Sequence, residues 1–310
     1  RPPAAGAADQ PALTRGADEA SRHTGPVSTE AHPPPHRLSP PGEPLRHPGF
    51  RRFWSAGTLT FLGASVTMVA ADALIITELD ASEQQVGLVR AAQFLPYPLI
   101  GLFVGALVDR WRKQPTLIWS TLGSGLALSL IPVLGWSGHL SLPVVAAVLF
   151  TASALGVFTV AAQQSLLPDL VEREELVIAN ARLGQSMTVA QTSGPPLGGA
   201  LVGAIGGPLS IMTGAVSNVL AAALLTRVRV TEPKPERTAA SSIWHDIGTG
   251  VGFVYRHRTL APLAISTHIW FLANSAAVTV FALFALRQLG LSPFLYGLTL
   301  AMAGVAGLAG

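Results

Sequence analysis

The chain has 310 residues, of which 49% are hydrophobic and only 12% are charged, and its net charge is +3. Soluble globular proteins carry about a quarter charged residues, so this composition excludes an ordinary soluble domain and favours a surface that lies mostly in lipid. The sequence contains no cysteine, which excludes disulfides and thiolate metal sites.

The first part of the chain, residues 1–48, is rich in proline, alanine and glycine and has almost no large apolar side chain. Such a segment cannot bury enough surface to offset the entropy of ordering it, so we expect a disordered cytoplasmic tail that acts as a spacer, with a regulatory role as the alternative. Because the sequence begins with Arg1 and has no apolar signal region, we expect a piece of a longer reading frame or a misassigned start.

Eight apolar segments follow, each near the ~20 residues that a membrane-spanning helix requires. A chain in lipid must satisfy its backbone internally, so each segment is predicted to be a helix. The segments cover residues 53–77, 86–108, 115–136, 142–162, 183–205, 208–226, 260–286 and 293–310. The predicted organisation is a six-helix half (49–226), a central cytoplasmic loop (227–258) and the first two helices of a second half (259–310).

The basic residues predict the orientation of these helices. Alternate connections hold fourteen bases on the side of the amino terminus and one, Arg287, on the other side. The fourteen are Arg46, Arg51, Arg52, Arg110, Arg112, Lys113, Arg173, Arg182, Arg227, Arg229, Lys234, Arg237, Arg256 and Arg258. Basic loops stay in the cytoplasm, so we predict a multi-pass protein of the cytoplasmic membrane with a cytoplasmic amino terminus. The positive-inside distribution accounts for the net positive charge of the chain, so no nucleic-acid partner is expected.

A weak internal repeat supports two related halves. Residues 79–88 align without a gap with residues 289–298, with four identities at an offset of 210 residues. The same offset pairs His47 with His257, each just before an apolar segment. Since six helices then form one half, a complete molecule needs roughly four more helices than this sequence contains.

The connection between the second and third segments reads Gly105-Ala-Leu-Val-Asp109-Arg110-Trp-Arg112-Lys113. Gly105 is predicted to let two helices approach closely, because a small residue removes a side-chain spacer. Asp109 is predicted to meet the positive end of a neighbouring helix or an arginine. The alternative is a basic anchor that only sets topology.

This run resembles the signature loop of the major facilitator superfamily, Gly-x-x-x-Asp-Arg-x-Gly-Arg-Arg, with Arg112 in place of glycine and Lys113 and Gln114 in place of the last two arginines. Residues 87–96 and 164–168 resemble the branch that holds enterobactin exporters and macrolide-efflux proteins. The resemblance implies an all-α major facilitator fold and a gating loop that holds the cytoplasmic gate shut in the outward-facing state. The gating residues would be Gly105, Asp109, Arg110, Arg112 and Lys113.

The fifth segment contains a second motif, in which proline removes a backbone donor and glycines allow close packing. It resembles the antiporter motif of drug exporters, Gly-x-x-x-Gly-Pro-x-x-Gly-Gly, with Ala190 in place of the first glycine. The resemblance implies efflux, and the alternative is a packing kink with no bearing on transport direction. The motif residues are Gly194, Pro195, Pro196, Gly198 and Gly199.

Two charges fall inside predicted segments, Asp72 in the first and Arg90 in the second. Charges in the membrane are costly, by about 2.5–3.5 kcal/mol on insertion scales, so they are expected to have a partner or a function. Their similar depth below the outer surface allows them to pair. Two interpretations stay open: a structural ion pair, or a proton- or cation-coupling site at Asp72 that Arg90 tunes.

Several other polar side chains could line a transport cavity, with hydrogen bonding between helices as the alternative role for each. His268 and Asn274 lie six residues apart, so they point to different sides of one helix. The candidates are Gln163, Gln164, Gln185, Gln191, His268 and Asn274.

The sequence contains no zinc-protease, nucleophile-elbow or Walker motif, so neither an enzyme nor an ATP-driven pump is expected. We predict a monomeric secondary transporter without metal or cofactor that exports a small amphipathic molecule, drug-like or siderophore-like, in exchange for protons across the lipid bilayer. The alternatives are an uptake transporter of the same fold and an inactive truncated product.

Overall fold

The computed structural model describes residues 43–108, 110–230, 232 and 243–309. All of them belong to one compact unit, whose boundary lies just after Pro41. Most of the predicted tail, residues 1–42, lies outside the described residues, as does Asp109. The described part begins before the expected limit of the tail at residue 48, with a 3₁₀ turn at Pro44–Arg46.

Ten α-helices occupy the described residues, and no strand is found among them. They are α1 (Pro48–Ala73), α2 (Glu83–Phe94), α3 (Pro96–Val108), α4 (Lys113–Trp136), α5 (Leu142–Leu166), α6 (Leu176–Ile205), α7 (Gly207–Leu225), α8 (Ile243–Arg256), α9 (Leu260–Leu283) and α10 (Pro293–Ala309). The predicted all-α class is confirmed.

Five helical stretches are long and apolar enough to cross a membrane. They are Pro48–Glu78, Lys113–Trp136, Leu142–Asp169, Gly207–Leu225 and Leu260–Gln288. Large apolar side chains such as Trp119, Leu130 and Leu220 are exposed on the bundle surface, as expected for a surface in contact with lipid.

Two predicted segments differ from the observed helices. The second segment, 86–108, is divided between α2 and α3 at Leu95, because Pro96 lacks a backbone donor and begins a new helix. The fifth segment begins at Leu176 rather than at residue 183, which gives α6 a length of 30 residues.

The central loop contains α8, a helix that the hydropathy of the sequence did not predict. Its side chains Ile247, Val251 and Val254 are partly buried, and their spacing places them on one face of the helix. This face packs against α3 and α9. Among the described residues of the predicted loop, Ile243–Arg256 are therefore helical.

The repeat with an offset of 210 residues recurs in the backbone. α1 continues into a π-helical turn at Leu74–Glu78, and α9 continues into a π-helical turn at Phe284–Gln288. Each turn is followed by one residue with positive φ, Asp80 at 45° and Gly290 at 59°. These paired features show that the α1–α2 and α9–α10 connections share one backbone pattern. We call α1–α7 the first half and α9–α10 the second half.

The buried side chains form two clusters at opposite ends of the bundle. The first includes Leu74, Val145 and Tyr296 and lies at the end that carries the α1–α2 and α9–α10 connections, which we call the hairpin end. The second includes Phe50 and Leu225 and lies at the opposite end, which we call the loop end.

Candidate functional site

Asp72 and Arg90, the two charges predicted within the membrane, form an ion pair in the structure. Asp72 lies on α1 and Arg90 on α2, and their side chains are 2% and 7% exposed. The guanidinium donates from Nη2 to Oδ1 of Asp72 and from Nη1 to Oε1 of Gln93, the latter at 3.0 Å. Each charge thus gains a partner within the first half, which offsets the cost of burying it.

A third residue, Tyr296 of α10, completes this cluster from the second half. Its hydroxyl donates to Oδ2 of Asp72 at 2.9 Å, and its side chain is fully buried. The ring packs against Phe281 of α9, with a centroid distance of 6.0 Å. Asp72 therefore accepts hydrogen bonds from both halves of the molecule.

Sequence reasoning missed Tyr296. The repeat aligns it with Val86, an ordinary apolar residue, so the alignment gave no reason to select it. The type of residue could have identified it. A buried carboxylate can accept several hydrogen bonds, and the hydroxyl of Tyr296 is a donor in an otherwise apolar stretch.

A second polar contact joins the halves at the hairpin end. Arg287, which follows α9, donates from Nη2 to Oδ1 of Asp80 at 3.0 Å and to the carbonyl oxygen of Ala81 at 2.9 Å. Nearby, the Glu78 carboxylate accepts from the backbone N–H of Gly207 at 2.5 Å, which ties α1 to the start of α7. The hairpin end is thus closed by charged groups as well as by packing.

The motif of α6 lies where this helix crosses α1. A side chain at Gly194 would collide with Ser65, and one at Gly198 would come within 2.9 Å of the Val66 carbonyl oxygen. The glycines therefore allow direct contact between α6 and α1, as the close-packing interpretation predicts.

The same motif also brings α6 against α10 of the second half. A Cβ atom at Gly199 would collide with the Pro293 carbonyl, and one at Gly297 of α10 would collide with the Pro195 carbonyl. The side chain of Pro195 is buried and that of Pro196 is partly buried. The motif is consequently a backbone-to-backbone junction between the two halves.

The connection between α3 and α4, which the sequence predicts to be a gating loop, is anchored to two other parts of the loop end. Lys113 donates from Nζ to Oδ2 of Asp169, just beyond α5, at 2.7 Å. The Glu232 carboxylate accepts from the backbone N–H groups of Lys113 and Gln114, at 3.0 and 2.7 Å. Glu232 thereby places a negative charge at the amino-terminal end of α4, where the helix dipole stabilises it.

Gln114 stands where the resembled motif has its last arginine, and it has a structural role here. Its side-chain amide donates to the carbonyl oxygens of Leu225 and Val228, at 2.9 and 2.7 Å. These carbonyls lie at the end of α7, where the helix leaves acceptors unsatisfied. An uncharged amide thus joins α4 to α7.

Gly105 does not make the close helix contact that the sequence suggested. A Cβ atom at Gly105 would meet no described atom within 4 Å, so the expected close helix approach at this position is absent from the described structure. The reason is that Val104 and Val108 occupy the buried face of α3 and turn Gly105 away from it. Arg110 is partly buried and Arg112 is exposed.

Glu232 offers a test of this anchoring. We expect Glu232→Ala to lower stability by about 0.5–2 kcal/mol, because two backbone donors at the start of α4 lose their acceptor. The thermal midpoint of the purified protein measures the effect. Glu174→Ala, which removes an exposed acid from the α5–α6 connection, is the matched control and should leave the midpoint unchanged. Equal midpoints for the two variants would contradict the capping role.

The six predicted cavity residues are not assembled into one site. Gln164, Gln185, Gln191, His268 and Asn274 are exposed, and Gln163 lies beside Gly57 of α1. His268 contacts the Ala264 carbonyl oxygen of its own helix at 2.5 Å and stacks on Tyr255. Within the described residues, no hydrogen bond joins two of the six. No group of three acidic or histidine side chains suited to a metal ion occurs there either.

A cavity of about 570 Å³ lies at the loop end, between the start of α1 and the end of α7. It is lined by Pro48, Gly49, Arg52, Thr226, Arg227 and Arg229. None of the six predicted cavity residues lines it, so it is separate from any site that they could form.

Comparison with known proteins identifies related transporters. A family model described as "Transmembrane secretion effector" matches residues 39–310. The MFS-type transporter y4rN of Sinorhizobium fredii is 27% identical over 219 residues, which cover 70% of this chain and 53% of that protein. The MFS-type transporters Mb0038c of Mycobacterium bovis and Rv0037c of Mycobacterium tuberculosis are each 32% identical over 91 residues, which cover 29% of this chain and 20% of each relative. The chain thus matches about half the length of the first relative and a fifth of each of the other two.

Proposed function

The chain belongs to the transmembrane secretion effector family of major facilitator superfamily (MFS) transporters, and we propose that it exports a small amphipathic molecule in exchange for protons. Membership of the superfamily supports membrane transport, which the resemblance of the predicted gating loop also implied. Transport itself, its outward direction, proton coupling and the class of substrate are all parts of the proposal.

The observation that carries this proposal is the polar contact between the two halves at the hairpin end. Asp72 of α1 accepts a hydrogen bond from Tyr296 of α10, and Arg287 donates to Asp80 and to the Ala81 carbonyl oxygen. A transporter that alternates between two open states is expected to form and break contacts of this kind between its halves.

Three features favour proton-coupled export. The α6 motif resembles that of antiporters and lies in the junction between the halves, where a change in packing alters access to both ends. Asp72, a buried acid that contacts both halves, can bind a proton. The exposed amides of Gln164, Gln185 and Gln191 are uncharged hydrogen-bonding groups in apolar helices, which suits an amphipathic substrate.

We further propose that the loop end faces the cytoplasm. The described bases at that end include Lys113 and Arg227, whereas Arg287 is at the hairpin end. The positive-inside rule then gives a cytoplasmic amino terminus and a location in the cytoplasmic membrane. We propose that the transporter works as a monomer, as the sequence analysis predicts.

The proposed activity is tested with cells that express or lack the intact gene. Accumulation of ethidium and of a panel of amphipathic antibiotics is measured with and without a protonophore. We expect several-fold lower accumulation of at least one compound in expressing cells, and loss of that difference when the protonophore collapses the proton gradient. Higher accumulation in expressing cells would instead identify an importer, and efflux that continues without the gradient would exclude proton coupling.

A further inference from the structure

The Asp72 carboxylate is the one buried acid in the described structure that accepts hydrogen bonds from both halves. Its Oδ1 atom accepts from Arg90 and its Oδ2 atom accepts from Tyr296. The bond to Arg90 lies within the α1–α2 hairpin, whereas the bond to Tyr296 joins residues 224 positions apart. The two bonds therefore respond differently when the halves separate.

Asp72 and Arg90 lie on the consecutive helices α1 and α2. They therefore stay together when the first half moves as a rigid body. Tyr296 moves with α10, and its hydroxyl has no exposed surface through which water could replace the carboxylate. Opening of the hairpin end must therefore break the bond between Tyr296 and Asp72. Because the acceptor is charged, this bond is stronger than one between neutral groups.

We propose that Tyr296 is the latch of the hairpin-end gate, and that the ion-paired Asp72 carboxylate is its receptor. This inference rests on the proposed alternating-access function and names the residue pair that holds one of its two states. Arg90 positions the carboxylate through its hydrogen bond to Oδ1. Separation of α10 from α1 leaves Oδ2 of Asp72 facing the opened cleft, where a hydronium ion can transfer its proton to the carboxylate and leave as water.

The contact between Arg287 and Asp80 does not serve as this latch. Its acceptor side chain is 93% exposed, so water readily replaces the guanidinium when the halves separate. By contrast, the Tyr296 hydroxyl and the Asp72 carboxylate exchange partners only through opening of the gate. The buried bond therefore contributes to the balance between closed and open states, together with the packing of α10 on α6.

Labelling of an introduced cysteine tests the latch. The protein has no cysteine of its own, so Ala81→Cys provides a single thiol at a position that is 1% exposed, beside Arg287 of the second half. The intact protein is reconstituted in lipid nanodiscs and its reaction with a maleimide is followed over time. We expect Tyr296→Phe to raise the labelling rate by about tenfold, because loss of a hydrogen bond to a charged group shifts the two-state equilibrium by that order.

Two controls make the result specific. Tyr97→Phe removes a hydroxyl from a half-exposed side chain of α3 and should leave the labelling rate of Ala81→Cys unchanged. His139→Cys, at an exposed position of the α4–α5 connection, should react at the same rate with or without Tyr296→Phe. Phenylalanine keeps the ring in its contact with Phe281, so the variant retains the packing of the native residue.

An unchanged labelling rate of Ala81→Cys in the Tyr296→Phe variant would overturn the latch. Nanodiscs expose both faces, so this outcome does not depend on orientation, and no substrate is added, so it does not depend on transport. Failure of the efflux assay with accelerated labelling would reject the proposed export and leave the latch in place. Normal efflux with unchanged labelling would reject only the latch.

Discussion

Asp72→Asn is expected to abolish proton-driven transport and to lower stability by about 3–5 kcal/mol, the usual cost of breaking a buried ion pair by removing one partner. Asparagine retains an acceptor for Tyr296 but leaves the Arg90 guanidinium, which is 7% exposed, without its anion. The thermal midpoint of the purified protein and efflux from expressing cells measure the two effects. Glu83→Gln, which neutralises an exposed acid in the first turn of α2, should leave efflux unchanged and lower stability by no more than about 0.3–1 kcal/mol.

The double variant Asp72→Asn/Arg90→Met separates a structural ion pair from a coupling site. Replacing the second charge removes the unpaired cation, so we expect stability to return to near the native value. Proton-driven transport should stay absent, because the titrating carboxylate is still missing. If the double variant transports as the native protein does, Asp72 is a structural residue and the coupling role is excluded.

Gly199→Ala is expected to be the most damaging single methyl addition in α6. The added carbon would occupy the position of the Pro293 carbonyl, and a backbone carbonyl cannot move away as a flexible side chain can. Helix α10 must shift, so we expect a loss of about 1–3 kcal/mol or more from overpacking, together with impaired transport. The thermal midpoint and the efflux assay report both effects.

Gly203 supplies the matched control for this substitution. It lies one turn further along α6, and a Cβ atom there would meet no described atom within 4 Å. Gly203→Ala should therefore be neutral or slightly stabilising, because alanine favours helix by up to about 1 kcal/mol over glycine. Equal midpoints for Gly199→Ala and Gly203→Ala would show that the junction between α6 and α10 is not tightly packed.

Much of the architecture follows from the sequence because membrane helices are marked by length and composition. Apolar runs near ~20 residues long predicted α1, α4, α5, α7 and α9 closely, since a bilayer leaves no other way to satisfy the backbone. Hydropathy did not predict the helices correctly where proline or an amphipathic pattern determined the structure. Prolines divided the second segment at Leu95, and the amphipathic pattern of α8 is too short and too polar for a hydropathy criterion.

The candidate site residues also fall into two groups: those that spacing along the chain could identify, and those that depend on tertiary structure. Residues within one helical hairpin have calculable depths, which is why spacing along the chain was enough to match Asp72 with Arg90. The glycines of α6 were also identified, although the helices they contact were not. Glu232 as the cap of α4 and Gln114 as the link to α7 depend on loop conformations that have no periodic signal.

The sequence by itself determined an α-helical membrane protein, its superfamily, its 210-residue repeat and the pairing of Asp72 with Arg90, because each of these depends on local hydropathy, spacing or depth. Only the tertiary structure decided that Tyr296 reaches Asp72 from the second half, that Gly199 meets the backbone of α10, and that Gly105 has no close neighbour in the described region. Contacts between residues 224 positions apart depend on how whole helices pack, and spacing along the chain does not encode that geometry.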